Sequence, residues 1–290
     1  MGQEMMNSRT FSRRSFLRMT AGAALAGGAT FGYARSVEPA WIDVTQVDLP
    51  LRGLAPQLAD RTVALLSDIH IGEYTSVEKV AAAIELVNSL LPDWVCITGD
   101  FICSKPDQAR SIVEPLRILE PPAYAVLGNH DVRAGANLVQ ENLAETPVKL
   151  LLNEGVLLEN GLWLAGLDDA WHGAPDIKAS LSDAPSDATA LLMVHEPDYF
   201  DRIAHLDAPF SVQFSGHTHG GQVRLPRVSP DGQGGLTWAP VLPYMGERYS
   251  MGLYQIGDRY VYTNRGIGAW PLPYRVNCRP EITLVRLREA

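Results

Sequence analysis

Five short apolar runs in this chain each end abruptly near a side chain that can bind a metal ion. They occupy residues 62–66, 94–97, 124–127, 191–194 and 212–214. Short apolar runs bounded by Gly and polar residues are typical of buried strands. The polar side chains that follow them include Asp68, Asp100, Asn129, His195 and His217. Because ligands in open α/β sheets bind beyond the carboxyl ends of the strands, the pattern predicts that these side chains converge in space.

Helical patterns separate the first three runs. Thr75 and Glu78 form a candidate capping box, apolar residues then recur at helical spacing, and Pro92 closes the segment. Further helices are predicted over residues 106–119 and 134–144. An alternation of strands and helices is the signature of a parallel sheet with crossover helices.

The remainder of the chain is richer in strand patterns. Residues 148–167 predict consecutive strands with tight turns, and further strands are predicted at 253–256, 260–262 and 282–287. The segment 41–58 is a candidate first strand. The sequence therefore predicts one α/β domain with two stacked mixed β-sheets and helices outside them.

The polar clusters after the runs have the composition of a metal site. Five of the seven histidines of the chain lie in them. Asp68 and His70, like His217 and His219, stand at positions i and i+2, a spacing that can point both side chains to one side just past a strand. A mixed set of carboxylate, imidazole and amide ligands suits Mn, Fe or Zn better than Mg or Ca. The candidate metal ligands are Asp68, His70, Asp100, Asn129, His195, His217 and His219.

The ordered set of motifs resembles that of the calcineurin-like metallophosphoesterases. The motifs are Asp68-Ile69-His70, Gly99-Asp100, Gly128-Asn129-His130-Asp131, His195 and Gly216-His217-Thr218-His219. The resemblance covers residues 60–285 and implies a four-layer fold of two sheets between helices. It implies that one ion is held by Asp68, His70, Asp100 and His219. It implies that a second ion is held by Asp100, Asn129, His195 and His217, so that Asp100 bridges the two.

The resemblance also implies an activity. Two divalent ions would hold a bridging hydroxide that attacks a phosphodiester or pyrophosphate bond, and His130 would protonate the leaving oxygen. The subgroup that the chain most resembles includes exported bacterial phosphodiesterases similar to UDP-2,3-diacylglucosamine pyrophosphatases. The alternatives are a pyrophosphatase of that lipid-precursor type, a phosphomonoesterase, and an inactive metal-binding scaffold.

The chain departs from the family pattern at two positions. Asp131 stands where the family commonly has Glu, and we expect it to orient a histidine from outside the ligand set. Cys103 stands where the purple acid phosphatase branch has a tyrosine ligand, which argues against a tyrosinate-bound ferric site. No ligand of the motif set is missing, which disfavours the inactive scaffold.

The first 34 residues read as an export signal. Arg13-Arg14 is followed by Ser-Phe-Leu and by a short, largely apolar run, a pattern that resembles the twin-arginine signal. The prediction is a signal at 1–34, with a weak cleavage site at residues 32–34, and one domain at 35–290. A disordered basic tail is the alternative. The signal predicts contact with the twin-arginine machinery and a place in the periplasm, the cell envelope or outside the cell, either freed by cleavage or anchored by a retained signal.

The net charge of the predicted domain limits the molecules that it is expected to bind. Removing residues 1–34 takes away four of the 24 basic residues and one of the 33 acidic residues, which leaves a net charge of −12. So acidic a domain argues against nucleic acid, because phosphate backbones require a basic surface. The expected partner is a phosphate ester, either a small molecule or a component of the cell envelope.

A few other residues carry weaker signals. Arg265 could contact a substrate phosphate, and a structural ion pair is an equal alternative. Trp171 and His172 are candidates to line a pocket, although ordinary packing is favoured. Asp168 and Asp169 lie either near the site or in a solvated loop. Residues 221–250, rich in Gly and Pro, predict a long loop over the site. The cysteines Cys96, Cys103 and Cys278 show no metal-type spacing and no disulfide framework.

Overall fold

The computed structural model describes residues 12–159, 161–206, 208–226 and 237–290. The α-helices of these residues are α1 (Arg13–Gly32), α2 (Val77–Ser89), α3 (Val113–Leu116), α4 (Asn129–Leu143), α5 (Ile177–Leu181) and α6 (Phe200–Ile203). The first seven strands are β1 (Asp43–Leu51), β2 (Thr62–Leu66), β3 (Trp94–Ile97), β4 (Ala123–Ala125), β5 (Val148–Leu150), β6 (Glu154–Glu159) and β7 (Leu162–Gly166). The other seven are β8 (Thr189–Met193), β9 (Val212–Ser215), β10 (Leu225–Pro226), β11 (Thr237–Trp238), β12 (Gly252–Ile256), β13 (Arg259–Thr263) and β14 (Glu281–Glu289).

Two six-stranded sheets form the centre of the fold. The first has the order β1-β14-β2-β3-β4-β5 and the second the order β12-β13-β9-β8-β7-β6. Each sheet mixes parallel pairs, such as β2 with β3 and β8 with β9, with antiparallel ones, such as β14 with β2 and β7 with β6. The predicted α/β fold with two mixed sheets is confirmed.

The apolar side chains divide into three clusters that define four layers. Leu65 and Cys96 of the first sheet pack against Leu191 and Phe214 of the second, so this cluster fills the space between the sheets. Leu66, adjacent to Leu65, points the other way into a cluster that joins the first sheet to α2, α3 and α4. A third cluster joins the second sheet to α5 and α6. Alternation along central strands such as β3, β8 and β9 therefore buries both faces of each sheet, while the edge strands β1, β6 and β12 stay partly exposed.

Three predicted helices differ in detail from the observed ones. Ser76, not Thr75, caps α2, because its Oγ accepts the amide of Lys79 at 3.3 Å. The predicted helix at 106–119 is a 3₁₀ segment, Pro106–Ile112, followed by the single turn of α3. The third begins at Asn129, five residues before the prediction, and bends at Gly135, whose φ of 131° lies outside the helical region. The early start places candidate ligand Asn129 in the first turn of a helix.

The N-terminal helix stands outside the four layers, because α1 contains no buried residue. The segment after it joins the domain. Ala34 is buried and its carbonyl oxygen accepts the amide of Arg275 at 2.9 Å, and Oε1 of Glu38 accepts the amide of Cys278 at 2.7 Å. None of the helices in the described part of the chain combines the length and hydropathy that crossing a bilayer requires. The first eleven residues of the predicted signal lie outside the described residues, and the boundary at residue 34 stays a prediction.

Candidate metal centre

The loops that follow the parallel strands are tied together by backbone hydrogen bonds. The amides of Asp68 and His70, after β2, donate to the carbonyl oxygens of Gly99 and Asp100, after β3, at 3.0 and 2.9 Å. The amide of His217, after β9, donates to both carboxylate oxygens of Asp68 at 3.0 Å. The two sheets therefore bring their carboxyl-end loops to one place, as the sequence predicted.

Close packing at this place requires a residue without a side chain. A Cβ atom on Gly216 would lie 1.7 Å from Oγ of Ser67 and 2.4 Å from Oδ2 of Asp68. No other residue type fits there without moving Asp68. Gly216 thus allows the loop after β9 to approach the loop after β2 directly.

Five of the seven candidate ligands have a left-handed backbone conformation. Their φ values are 49° for Asp68, 45° for His70, 58° for Asp100, 70° for His217 and 50° for His219. Each such non-glycine residue costs about 1–3 kcal/mol and persists only where its surroundings impose it, most often at functional sites. The left-handed backbone conformation directs these five side chains toward one place.

One group of possible ligand atoms comes from Asp68, His70 and His219. All three residues are buried, and the ligand atoms lie within 4.8 Å of one another. Nε2 of His219 lies 3.4 Å from Oδ1 of Asp68, and Nε2 of His70 lies 4.0 Å from the same oxygen. The group has the size and the donors of a site for one transition-metal ion.

A second group comes from Asp100, His195 and His217, again buried and within 4.8 Å. Oδ1 of Asn129 lies 3.0 Å from Nδ1 of His217, so the amide oxygen belongs to this group. Oδ2 of Asp100 lies 3.2 Å from Nε2 of His195 and 3.3 Å from Nε2 of His70. Asp100 therefore stands between the two groups, in the place that the resemblance gave to a bridging ligand.

Hydrogen bonds to backbone carbonyls determine which ring nitrogen of each histidine faces the other candidate metal ligands. Nδ1 of His195 donates to the carbonyl of Thr98 at 2.6 Å, so Nε2 is the nitrogen left to accept an ion. Nε2 of His217 donates to the carbonyl of Tyr244 at 2.8 Å, which leaves Nδ1 beside Asn129 for the same purpose. Partners of this kind fix the tautomer and the ring orientation of metal-binding histidines.

The electrostatics of the site fit a cation. Burial alone would lower the pKa of His70, but Asp100 outweighs it and raises the pKa to about 10. Burial alone would raise the pKa of Asp100, but His195 and His70 hold it well below its usual range. Burial and His195 lower the pKa of His217 to about 3. The buried carboxylates thus favour positive charge at this place, and a bound divalent ion would supply it in place of the imidazole protons.

Buried histidine nitrogens without hydrogen-bond partners also indicate that this place binds metal ions. Within the described residues, Nε2 of His70, Nε2 of His195 and Nδ1 of His219 are buried without a well-formed hydrogen bond. Leaving a buried polar atom unpaired costs about 1–3 kcal/mol. Native structures rarely tolerate several such atoms in one place unless an ion or water completes them. The residues present therefore fit two metal ions.

His130 stands beside the two groups and lines the adjoining cleft. Its ring lies 4.9 Å from the ring of His70, and its Nδ1 donates to the carbonyl of Cys103. Its amide donates to Oδ1 of Asp100 at 2.8 Å. Burial lowers the pKa of the His130 imidazole. The bond to Cys103 fixes the tautomer and leaves Nε2 as the nitrogen that can exchange a proton with a ligand.

Asp131 does not orient a histidine, and that expectation was wrong. The buried carboxylate accepts three backbone amides, from Phe101 at 2.9 Å, Ile102 at 3.2 Å and Gly128 at 3.0 Å. It therefore fastens the loop that carries Asp100 to the loop that carries Asn129. A carboxylate has two oxygens and about four acceptor positions, so one side chain can hold both loops.

Two further carboxyl groups lie buried behind the site. Oδ2 of Asp169 accepts the amide of Trp171 at 3.2 Å, and Oε2 of Glu196 accepts the amide of Ala170 at 3.0 Å. Burial and the neighbouring Asp169 raise the pKa of Glu196 well above its usual range. Asp169 is thus part of the site's support and not of a solvated loop. Glu196 directly follows His195, which is the only sequence signal that it carried.

Arg265 is engaged away from the site. Its guanidinium lies 3.1 Å from Glu281 and 3.4 Å from Asp43, and it does not line the cleft beside the two groups. The ion-pair alternative therefore accounts for its side chain, and a role in substrate binding stays a prediction without geometric support. The three cysteines are buried and unpaired.

A cleft of about 570 Å³ opens onto the two groups. Its lining includes His130, His217 and His219 at one end and Trp171, Trp270 and the segment 240–243 along its sides. Part of the predicted loop 221–250 thus borders the site, while its residues 227–236 lie outside the described residues. Among the described residues, Arg133 is the only Lys or Arg that lines the cleft, and it has no ion pair there.

Comparison with known proteins places these features in context. The sequence pattern described as calcineurin-like phosphoesterase matches residues 61–221. The chain is 33% identical to the metallophosphoesterase YkuE of Bacillus subtilis over 98% of each chain. It is 30% identical to the phosphodiesterase YaeI of Escherichia coli, over 95% of this chain and 99% of that protein. It is 26% identical to the UDP-2,3-diacylglucosamine pyrophosphatase LpxG of Chlamydia muridarum, over 89% of this chain and 92% of that protein.

Proposed function

The chain belongs to the calcineurin-like phosphoesterase family and is a phosphoric ester hydrolase, and on that premise we propose that it cleaves phosphodiester or pyrophosphate bonds with two divalent transition-metal ions. The family is dimetal-dependent, and the structure contains two Asp/His groups of the required size. The observation that carries the proposal is Asp100, whose Oδ2 lies 3.2 and 3.3 Å from one histidine of each group. One shared carboxylate sets the spacing of two ions that act together.

The ions would occupy the two groups already described, and Mn, Fe or Zn fits the donors. Asp68, His70 and His219 would hold one, and His195, His217 and Asn129 the other, with Asp100 common to both. When bound, such a pair supplies Lewis acidity toward a phosphoryl oxygen and acidifies water. The strained backbone at five of these residues holds the donors in position before any ion binds.

The other residues act on the substrate or on the ligands. His130, fixed by Cys103 through Nδ1, presents Nε2 to the oxygen of the leaving alcohol, and a proton passed on from that nitrogen would contribute about 10²–10⁴-fold in rate. Asp131 keeps the loops of Asp100 and Asn129 in register. Arg133, one helical turn after His130, offers a free cation to an anionic ligand in the cleft.

Hydrolysis of diesters or pyrophosphates is favoured over that of monoesters. The relatives with named activities are a phosphodiesterase and a UDP-2,3-diacylglucosamine pyrophosphatase, both aligned over nine-tenths or more of their length. In the substrates of both activities, the phosphate that is attacked carries a substituent on each side, unlike the phosphate of a monoester. The apolar walls of the cleft also favour a substrate with a second substituent on the phosphate.

Export is a further part of the proposal. It is supported by Arg13-Arg14 at the start of α1, an exposed helix whose later residues are largely apolar. Ala34 is buried at the edge of the domain, so cleavage beside it would break the 2.9 Å bond from the Arg275 amide. That contact favours a retained N-terminal helix, which would keep the enzyme at the cell envelope. If replacing both arginines by lysine left export unchanged, the twin-arginine assignment would fail.

The activity is tested with the full chain, stripped of metal by chelation and reloaded separately with Mn, Fe(II) and Zn. The substrates are bis-p-nitrophenyl phosphate, a diester, and p-nitrophenyl phosphate, a monoester. The proposal expects activity only in the reloaded enzyme, with a higher kcat/KM for the diester. A preference for the monoester would overturn the diesterase assignment, and full activity in the stripped enzyme would overturn the role of metal.

A further inference from the structure

One wall of the cleft beside the metal centre is a turn of apolar residues. The ring of Trp270 lies 5.4 Å from the ring of His130 and 6.2 Å from that of His70. Pro271 and Leu272 continue this wall outward, and the side chain of Leu272 is 57% exposed. The wall therefore runs without a break from the metal-binding groups to solvent.

The opposite wall starts at the other metal-binding group. The ring of Trp171 lies 5.9 Å from the ring of His217 and 5.4 Å from the ring of Tyr244. The segment 240–243, which includes Val241 and Leu242, extends this wall, and Val241 is 75% exposed. Two apolar walls thus flank the place where the scissile phosphate would sit.

The chemistry of these walls does not suit a small polar diester. Apart from Asp100, which belongs to the metal centre, Arg133 is the only formally charged residue among those described along the cleft. A contiguous exposed apolar surface is rare on a soluble protein and usually marks a binding site. A substrate with two small polar substituents would leave both walls in water and gain nothing from them.

One residue of the cleft lining contacts the N-terminal helix. Tyr274 lines the cleft, and its ring lies 5.2 Å from the ring of Phe31 near the end of α1. Along α1 the apolar side chains are also open to solvent, with Leu17 58% and Leu25 76% exposed. The lining of the cleft and an uncovered apolar helix therefore meet at Tyr274.

From these features we infer that the substrate is an amphiphile: a phosphodiester or pyrophosphate with a hydrocarbon chain on one side of the phosphate. The chain lies between the wall of Trp270 and Leu272 and the wall of Trp171 and Val241. The inference rests on the proposed function, because it places the chain relative to a phosphate held at the metal centre. It adds the class of substrate and the residues that select it.

The test is a series of alkyl p-nitrophenyl phosphate diesters with methyl, hexyl and dodecyl chains, used below their micelle concentrations with metal-loaded full-length enzyme. All members release the same p-nitrophenolate, so the chemical step is constant. A fully buried methylene contributes a factor of about four in binding. Partial burial along the cleft should therefore raise kcat/KM at least about tenfold from methyl to hexyl, and kcat/KM should level off when the chain outgrows the walls.

Two variants test whether the walls of the cleft cause the dependence of kcat/KM on chain length. Val241→Asp and Leu272→Asp place a charge on each wall at exposed positions, so the dodecyl-to-methyl ratio of kcat/KM should fall to within about threefold of one. Leu138→Asp is the matched control, because Leu138 is 41% exposed on α4 and does not line the cleft. It should keep the wild-type ratio. Bound metal and thermal unfolding are measured for all three.

The outcomes separate the two proposals. If the wild-type enzyme cleaves all the diesters at one kcat/KM, the amphiphile inference is overturned while the phosphodiesterase proposal stands. If it cleaves none of them, including the methyl ester, the phosphodiesterase proposal itself fails. If chain-length dependence persists in both wall variants, the chain does not lie in this cleft.

Discussion

Replacing Asp131 by Asn tests whether one buried carboxylate holds the two halves of the metal centre together. An Asn side chain keeps one acceptor oxygen, which can still serve Phe101 and Ile102, but its amide nitrogen then faces the amide of Gly128, 3.0 Å away in the wild type. The side-chain NH2 group of the Asn and the backbone amide of Gly128 then both lack an acceptor. At about 1–3 kcal/mol for each buried unsatisfied group, the free energy of unfolding should fall by roughly 2–6 kcal/mol.

The same change should weaken metal binding, because Asp131 fastens the loops that carry Asp100 and Asn129. Loss of a supporting residue of this kind typically reduces metal affinity about 10–100-fold. Urea unfolding of the metal-free protein measures the first effect, and calorimetric titration with Zn or Mn measures the second. Asp107→Asn, at an exposed position in the 3₁₀ segment, is the control and should change neither. Wild-type stability and metal affinity in the Asp131→Asn protein would show that this carboxylate does not hold the two loops together.

Three other substitutions probe the centre and its cleft. Asp100→Asn should remove both ions, as measured by metal analysis after dialysis, because its carboxylate lies beside histidines of both groups; two retained ions would contradict the bridging role. His130→Gln should lower kcat about 10²–10⁴-fold for an alkyl leaving group and far less for p-nitrophenolate, which needs no proton. An equal loss with both leaving groups would instead indicate a purely positioning role. Arg133→Gln should raise KM for bis-p-nitrophenyl phosphate several-fold with little change in kcat, and an unchanged KM would show that its cation does not meet the substrate.

The ligand positions could be predicted because each leaves a strong local signal. Asp68, Asp100 and His195 follow buried strands directly, and the order of strands and helices implies that their carboxyl ends meet. Gly216 precedes His217 in the motif, and only the structure shows that it lies against Ser67 and Asp68. The sequence therefore defined the chemistry of the centre before its geometry was known.

The surroundings of the centre could not be predicted in the same way. Tyr244 acts on His217 through its backbone carbonyl. Every residue type has such a carbonyl, so the sequence does not indicate which one makes this contact. Asp131 was expected from the family pattern to orient a histidine, and only the structure shows that its carboxylate accepts backbone amides. Trp270 comes from a loop whose path depends on long-range packing, and Trp171, for which ordinary packing was favoured, lines the cleft.

Anomalous diffraction from crystals of the Mn-loaded, active protein would show whether two ions share Asp100. We expect two manganese peaks per chain. One should lie among Asp68, His70 and His219, the other among His195, His217 and Asn129, and both within bonding distance of Asp100. A single peak, or peaks elsewhere while the crystals hydrolyse a phosphodiester, would show that the enzyme does not work with two ions at Asp100.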